Sequence, residues 1–267
     1  MLRDSIDYKG TAVGKLFRRF LFPTVMGMVF SAVFVITDGI FVGRGIGSDA
    51  LAAVNLTAPL FTLGTGLGLM FGMGGSVVAS VNLAQGKRRV AQINITQSLF
   101  VPALLLSALL ILCHKPLLLL LGTPPELMVP AREYLVWFTL FLTPLAVFNI
   151  LMFIVRLDGA PRFAMACNIM AASINIVLDY LFIFEFGWGL AGAAIATGVG
   201  YIVGSGVMLR YMLRHSRTLH FVKFKTSYKS LRLTARNLGY MTYIGFPALL
   251  SELAISCLMV VGNYTFI

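Results

Sequence analysis

Residues 20–42 read FLFPTVMGMVFSAVFVITDGIFV, 23 positions in which Asp38 is the only charge. A helix crosses the hydrocarbon core with about 20 apolar residues, so this run can span a membrane. It is too long for the roughly 7–15-residue apolar core of a secretion signal and lacks a small-residue cleavage site. The same pattern continues outward along the chain. Residues 50–86 and 90–114 carry no Asp, Glu, Lys or Arg, and 134–155 follows after the turn TPPE at 123–126. Residues 163–184 hold only Asp179, 190–209 hold no charge, and 238–267 hold only Glu252. Seven helical spans are expected, which makes the fold class an all-α polytopic membrane protein.

Composition agrees. The 267 residues are 58% hydrophobic and 12% charged, against about a quarter charged in a soluble domain, so a water-soluble globule is excluded. The net charge of +11 comes from short basic clusters between apolar runs, the distribution of a membrane topology and not of a nucleic-acid partner. Assigning loops to alternate sides puts 18 of the 21 Lys and Arg residues with the N-terminal segment and the loops 84–90, 156–162 and 210–236. Only Arg44, Lys115 and Arg132 fall on the other side. The positive-inside rule then predicts a cytoplasmic N-terminus in a multi-pass plasma (bacterial inner) membrane protein. Cys113, Cys167 and Cys257 lie in apolar stretches and read as small hydrophobes.

The last span runs to Ile267 with no polar flank, so the chain is expected to be cut short. Phe22-Pro23 at the start of span one is echoed by Phe246-Pro247 at the start of span seven. Parallel repeats of this kind build many transporters. The expected division is a six-helix lobe at 1–213, a basic linker at 214–237 and the first helix of a second lobe at 238–267, in a full protein of about 450 residues and twelve spans.

Ionisable residues inside spans are costly, and they face a protein interior or a wet cavity. Asp38, near the outer end of span one, is such a candidate, with an interfacial carboxylate as the alternative. Asn175 and Asp179 are four apart and share a face of helix five, and Thr197 lies at a comparable depth on helix six. Carboxylate, amide and hydroxyl oxygens at one level can bind a hard cation or share protons. This makes Asp38, Asn175 and Asp179 a candidate Na+ site, with interhelical hydrogen bonding as the rival for Asn175 and Thr197. Glu252, mid-span in helix seven, and Asn149, deeper in helix four, are candidates for lining a substrate cavity. Pro23 lacks an N–H and permits a bend in helix one, although proline is also frequent in membrane helices. Gly64, Gly68 and Gly72 at spacing four, with Gly200 and Gly204, predict close helix packing. GRGIG at 43–47 follows no strand and precedes no Gly-Lys-Ser/Thr, so nucleotide binding is not expected. With no metalloprotease, paired-cysteine or Ser/His pattern, neither enzymatic activity nor an organic cofactor is expected.

The run TDGIFVGRGIGSDALAAVNLTAPL at 37–60, followed by GMGGSVVASVNLAQGKRR at 72–89 and REYLVWF at 132–138, closely resembles the multidrug and toxic compound extrusion (MATE) family. The resemblance covers nearly the whole chain and lacks only the C-terminal lobe. It implies two six-helix lobes around a cleft, exporting lipophilic, often cationic compounds in exchange for Na+ or H+. It assigns Asp38, Asn175, Asp179 and Thr197 to ion or proton coupling, Pro23 to the bend of helix one, and Glu252 and Asn149 to positions on helices seven and four. Small molecules and the bilayer are then the partners, with a monomer expected for the full-length protein and no transport by this chain alone. A lipid-linked oligosaccharide flippase of related architecture and a seven-helix receptor are the alternatives.

Overall fold

The computed structural model describes residues 12–120, 128–216, 218–223 and 228–266. They form seven helices: α1 (Val13–Gly45), α2 (Ser48–Ala84), α3 (Arg88–Leu120), α4 (Met128–Leu157), α5 (Pro161–Tyr180), α6 (Gly189–Arg214) and α7 (Tyr228–Phe266). Six of them, all but α3, carry a described stretch long and apolar enough to cross a membrane. The turn expected at 123–126 lies outside the described residues. Short connections keep neighbours antiparallel. Pro161 opens α5, where its missing N–H costs nothing, and a π-helical turn, Leu181–Glu185, extends α5 towards α6.

One boundary differs from the sequence expectation. α7 begins at Tyr228, ten residues before the expected start at 238. Charged residues excluded 228–237 from the apolar span, yet the segment contains no Gly or Pro to stop a helix. The linker shrinks accordingly and is held against the bundle. Arg88 Nε and Gln92 Nε2 both donate to the Thr218 carbonyl (3.1 and 3.2 Å), and the Val222 N–H donates to Thr96 Oγ1 (3.1 Å).

Glycines decide how closely the helices approach. The predicted face of α2 packs on α4: a methyl at Gly68 would stand 3.0 Å from the Ala146 backbone, and one at Gly72 3.1 Å from Ile150 Cα. Two residues further round, about 200° away on the helix, a second stripe meets α7. There Gly74 abuts the Met241 carbonyl, Gly245 abuts the Met70 carbonyl, and Gly66 faces Glu252 and Leu249. Beside that contact Gln97 Nε2 donates to Thr234 Oγ1 (2.7 Å), and Asn237 Nδ2 donates to Gln97 Oε1 (3.1 Å) and Asn94 Oδ1 (3.3 Å). α3 and α7 are thereby tied by amides.

The tightest packing lies towards the basic end, where Ile95, Ile150, Leu151, Ile154, Met208 and Met212 are fully buried. α1, by contrast, shows much of its apolar surface, including Phe22, Met28 and Ile36, as a helix bathed in lipid can.

Candidate functional site

The polar residues singled out in the sequence gather between α1, α5 and α6. Asp179 is fully buried, Asn175 and Thr197 are buried, and Asp38 is half-buried. Asn175 Nδ2 donates to Thr197 Oγ1 at 3.1 Å, joining α5 to α6. The Asp38 and Asp179 carboxyls come within hydrogen-bonding reach of each other. Ionised carboxylates only accept hydrogen bonds, so two ionised groups cannot bond each other directly, whereas a shared proton or a cation between them joins the pair. Asp38 Oδ1, both carboxyl oxygens of Asp179 and Asn175 Oδ1 are buried with no hydrogen-bond partner. Buried polar groups are normally satisfied, and these four acceptor oxygens can receive a proton, a cation or another donor. The donor set of two carboxylates and an amide oxygen suits a hard cation as well as a proton.

A cavity of about 330 Å³ opens beside this cluster. Asn175, Thr197 and Tyr201 form the shared wall, and the ring of Tyr201 lies within the electrostatic reach of Asp38. Apolar and aromatic side chains from α1, α2 and α4 complete the lining, among them Phe34, Phe61, Leu69 and Phe153. Asn149 lines the cavity, and its Nδ2 donates to the Leu145 carbonyl at 3.1 Å. Glu252 does not line this cavity; it packs on α2 at Gly66. α1 runs as one helix through Pro23, which is buried. One turn further on, Asn168 Nδ2 donates to the Gly27 carbonyl (3.2 Å) and to Ser31 Oγ (3.1 Å), tying α5 to α1.

Sequence reasoning missed Asn168, Ser31, Thr65 and Arg156, all of which line the cavity. Asn168 was within reach, since it precedes Asn175 by seven residues, two turns, and so lies on nearly the same helix face. Arg156 follows the apolar part of α4 and reads as a topology-setting charge. Among the described residues no group of three or more His, Cys, Asp or Glu side chains could hold a metal ion by itself. Any cation site here therefore draws on Asn175 and Thr197 as well as the two acids.

Seven packed helices with a buried acid pair beside an apolar cavity define a multi-pass membrane protein with a transporter-type interior. The MatE family model matches residues 23–181, more than half of the chain. The chain belongs to the MatE family, a family of transporters. It is 30% identical over 254 residues to the multidrug export protein MepA of Staphylococcus saprophyticus, covering 92% of this chain and 54% of that protein. Among solved structures it resembles an outward-facing multidrug resistance MATE family transporter of the MOP superfamily, with TM-score 0.79 and 25% identity, over 91% of this chain and 53% of the other. It also resembles an inward-facing conformation of such a transporter, with TM-score 0.73 and 25% identity, over 85% and 51%. The chain spans about half the length of the curated relatives it matches.

Proposed function

We propose that this chain is the ion-coupled half of a secondary multidrug efflux transporter, which exports lipophilic or cationic compounds against Na+ or H+ by alternating access. The observation that carries this reading is the set of four unpartnered buried oxygens on Asp38, Asn175 and Asp179. Beside an apolar cavity, such a set gives a cation or proton a reason to bind and a way to change what the cavity holds. Occupancy of the two sites is mutually exclusive. With the cavity open outward, an ion or proton neutralises the Asp38–Asp179 pair, α1 rearranges about Pro23 and the substrate leaves. Coupling requires the ion to bind the two states unequally, since a ligand indifferent to conformation shifts nothing. The basic end of the bundle faces the cytoplasm in this reading, and the substrate-bearing wall includes Asn149. Glu252 packs on α2 at Gly66, outside that wall.

The test uses the full-length protein in proteoliposomes with a fluorescent lipophilic cation, driven in turn by a Na+ gradient and a pH gradient. Efflux under one gradient that is lost in Asp38→Asn supports the reading and names the ion. Efflux that survives Asp38→Asn overturns the coupling assignment, and absence of transport under both gradients overturns the antiporter. The flippase alternative calls for a basic cleft to hold a pyrophosphate. Among the described residues that line the cavity only Arg156 is cationic, which favours efflux. Membership of a transporter family leaves the receptor reading without support.

A further inference from the structure

Ser31, Asp38 and Gly45 stand seven residues apart on α1. That interval is close to two full turns, so the three share one face of the helix. Each meets α5 or its π-helical extension. Ser31 Oγ accepts from Asn168 Nδ2 at 3.1 Å, Asp38 comes to Asp179, and Gly45 rests on Ile183 and Phe184. The acid pair therefore lies between two clasps, a polar one before it along α1 and an apolar one after it.

The apolar clasp leaves no room for a side chain on α1. A methyl at Gly45 would run into Ile183 Cγ2 and stand 3.0 Å from the Phe184 ring, inside the about 3.5–4.0 Å at which carbon atoms rest. Ile183 has nowhere to retreat, because it is 5% exposed and packed in one cluster with Val42. The π-helical turn that carries it is backed by α6. Gly192 brings α6 onto Phe182, where a methyl would stand 2.9 Å from Cβ. The Phe182 ring stacks on Trp188 at 4.7 Å, and the Trp188 N–H donates to the Phe182 carbonyl at 2.8 Å. Phe184 is held between Phe41 and Tyr180, with ring centroids 5.7 and 5.6 Å away. α1 is the freer partner, since along its length only Pro23, Gly27 and Val42 are buried. A side chain at position 45 would thus be accommodated by α1 moving off the turn. Asp38 lies midway between that point and the Ser31–Asn168 clasp, so part of the movement reaches it.

We propose that Gly45 is a positioning residue for the acid pair: its missing side chain seats α1 against Ile183, and that seat sets the separation of Asp38 from Asp179. This rests on the reading of the pair as the coupling site, and it adds the element that tunes the grip on the ion. A proton shared by two carboxyls, or a cation held between them, tolerates only about 0.5 Å of misplacement. Backing α1 away from Ile183 weakens that grip while leaving both acids in place.

The test is difference infrared spectroscopy of purified full-length protein, titrated with acid and, separately, with Na+. Uptake of a proton or of Na+ by the pair changes a carboxyl band that is missing when Asp38→Asn and Asp179→Asn are combined, and the concentration at half change reads the affinity. Gly45→Ala is expected to raise that concentration about tenfold, the scale of a sub-ångström misplacement. Adding Ile183→Ala, which takes away the Cγ2 methyl, is expected to bring the Gly45→Ala protein back towards the wild type. Gly43→Ala, whose methyl makes ordinary contact with Leu51 Cδ2 at 3.5 Å, is expected to leave the half change where it is. An unchanged half change in Gly45→Ala, a shift or a folding failure that Ile183→Ala does not reverse, or an equal shift in Gly43→Ala overturns the proposal. A shift with rescue in a protein that shows no gradient-driven efflux would overturn the coupling reading and leave the positioning role standing. No band change in the wild type overturns both.

Discussion

Asp158 and Asp179 are equally buried, at 1% and 0% exposure, yet their surroundings are opposites. Asp158, in the turn between α4 and α5, accepts from the Tyr211 hydroxyl (3.0 Å), Ser216 Oγ (2.9 Å) and the Leu219 N–H (3.3 Å). Neither carboxyl oxygen of Asp179 accepts a well-formed hydrogen bond, since the neighbouring Asn175 amide donates to Thr197 instead, and another acid, Asp38, stands beside it. A buried carboxylate that collects donors repays its desolvation and fastens the structure. One denied donors persists only where something outside the chain completes it. Burial alone says nothing of role; the inventory of partners does.

The contrast breaks first at Asp158. Asp158→Ala removes the acceptor common to three buried donors, of which Ser216 Oγ and the Leu219 N–H keep their bonds to Leu219 and Ser216, and is expected to cost about 1–3 kcal/mol. The expected outcome is little folded protein in the membrane, read by expression and size-exclusion profile; normal yield would show that the cluster is ornamental. Asp179→Asn acts in the reverse sense. It removes a buried charge with no donor, so thermal stability is expected to hold or rise while ion-driven efflux by the full-length protein falls to background. A clear loss of stability in that variant would make Asp179 a structural residue like Asp158.

Gly245→Val, which pushes a branched side chain onto the Met70 carbonyl, is expected to cost about 2 kcal/mol through overpacking. The same change at Gly239, whose Cβ position is open, is expected to show no such clash. Equal effects at both positions would remove the case for a specific α2–α7 contact. The smallest change expected is Tyr211→Phe, which takes one bond from Asp158 at about 1.5 kcal/mol and should leave ion coupling untouched. Altered coupling would link the two aspartates after all.

The two aspartates also show what sequence could and could not convey. Asp179 stood out because a lone charge in an apolar run has few explanations, and Asn175 four residues earlier gave it a face. Asp158 lies in RLDGAPR, among charges that read as span-end topology, and its partners come from 53 to 61 positions away. Spacing cannot show that. The glycine face of α2 towards α4 was legible from its period of four. The second face was not, because Gly66 and Gly74 gain meaning only once Gly245 is set opposite. The helical start at Tyr228 was hidden by charge, since hydropathy marks where lipid ends and not where backbone hydrogen bonding does.

α2 thus has both sides occupied, by α4 at Gly68 and Gly72 and by α7 at Gly66 and Gly74. Chain order assigns α7 to whatever follows the linker, but its backbone lies on α2 and its amides on α3. The covalent order and the packing order therefore differ: the helix that follows the linker is seated on the second and third helices of the chain.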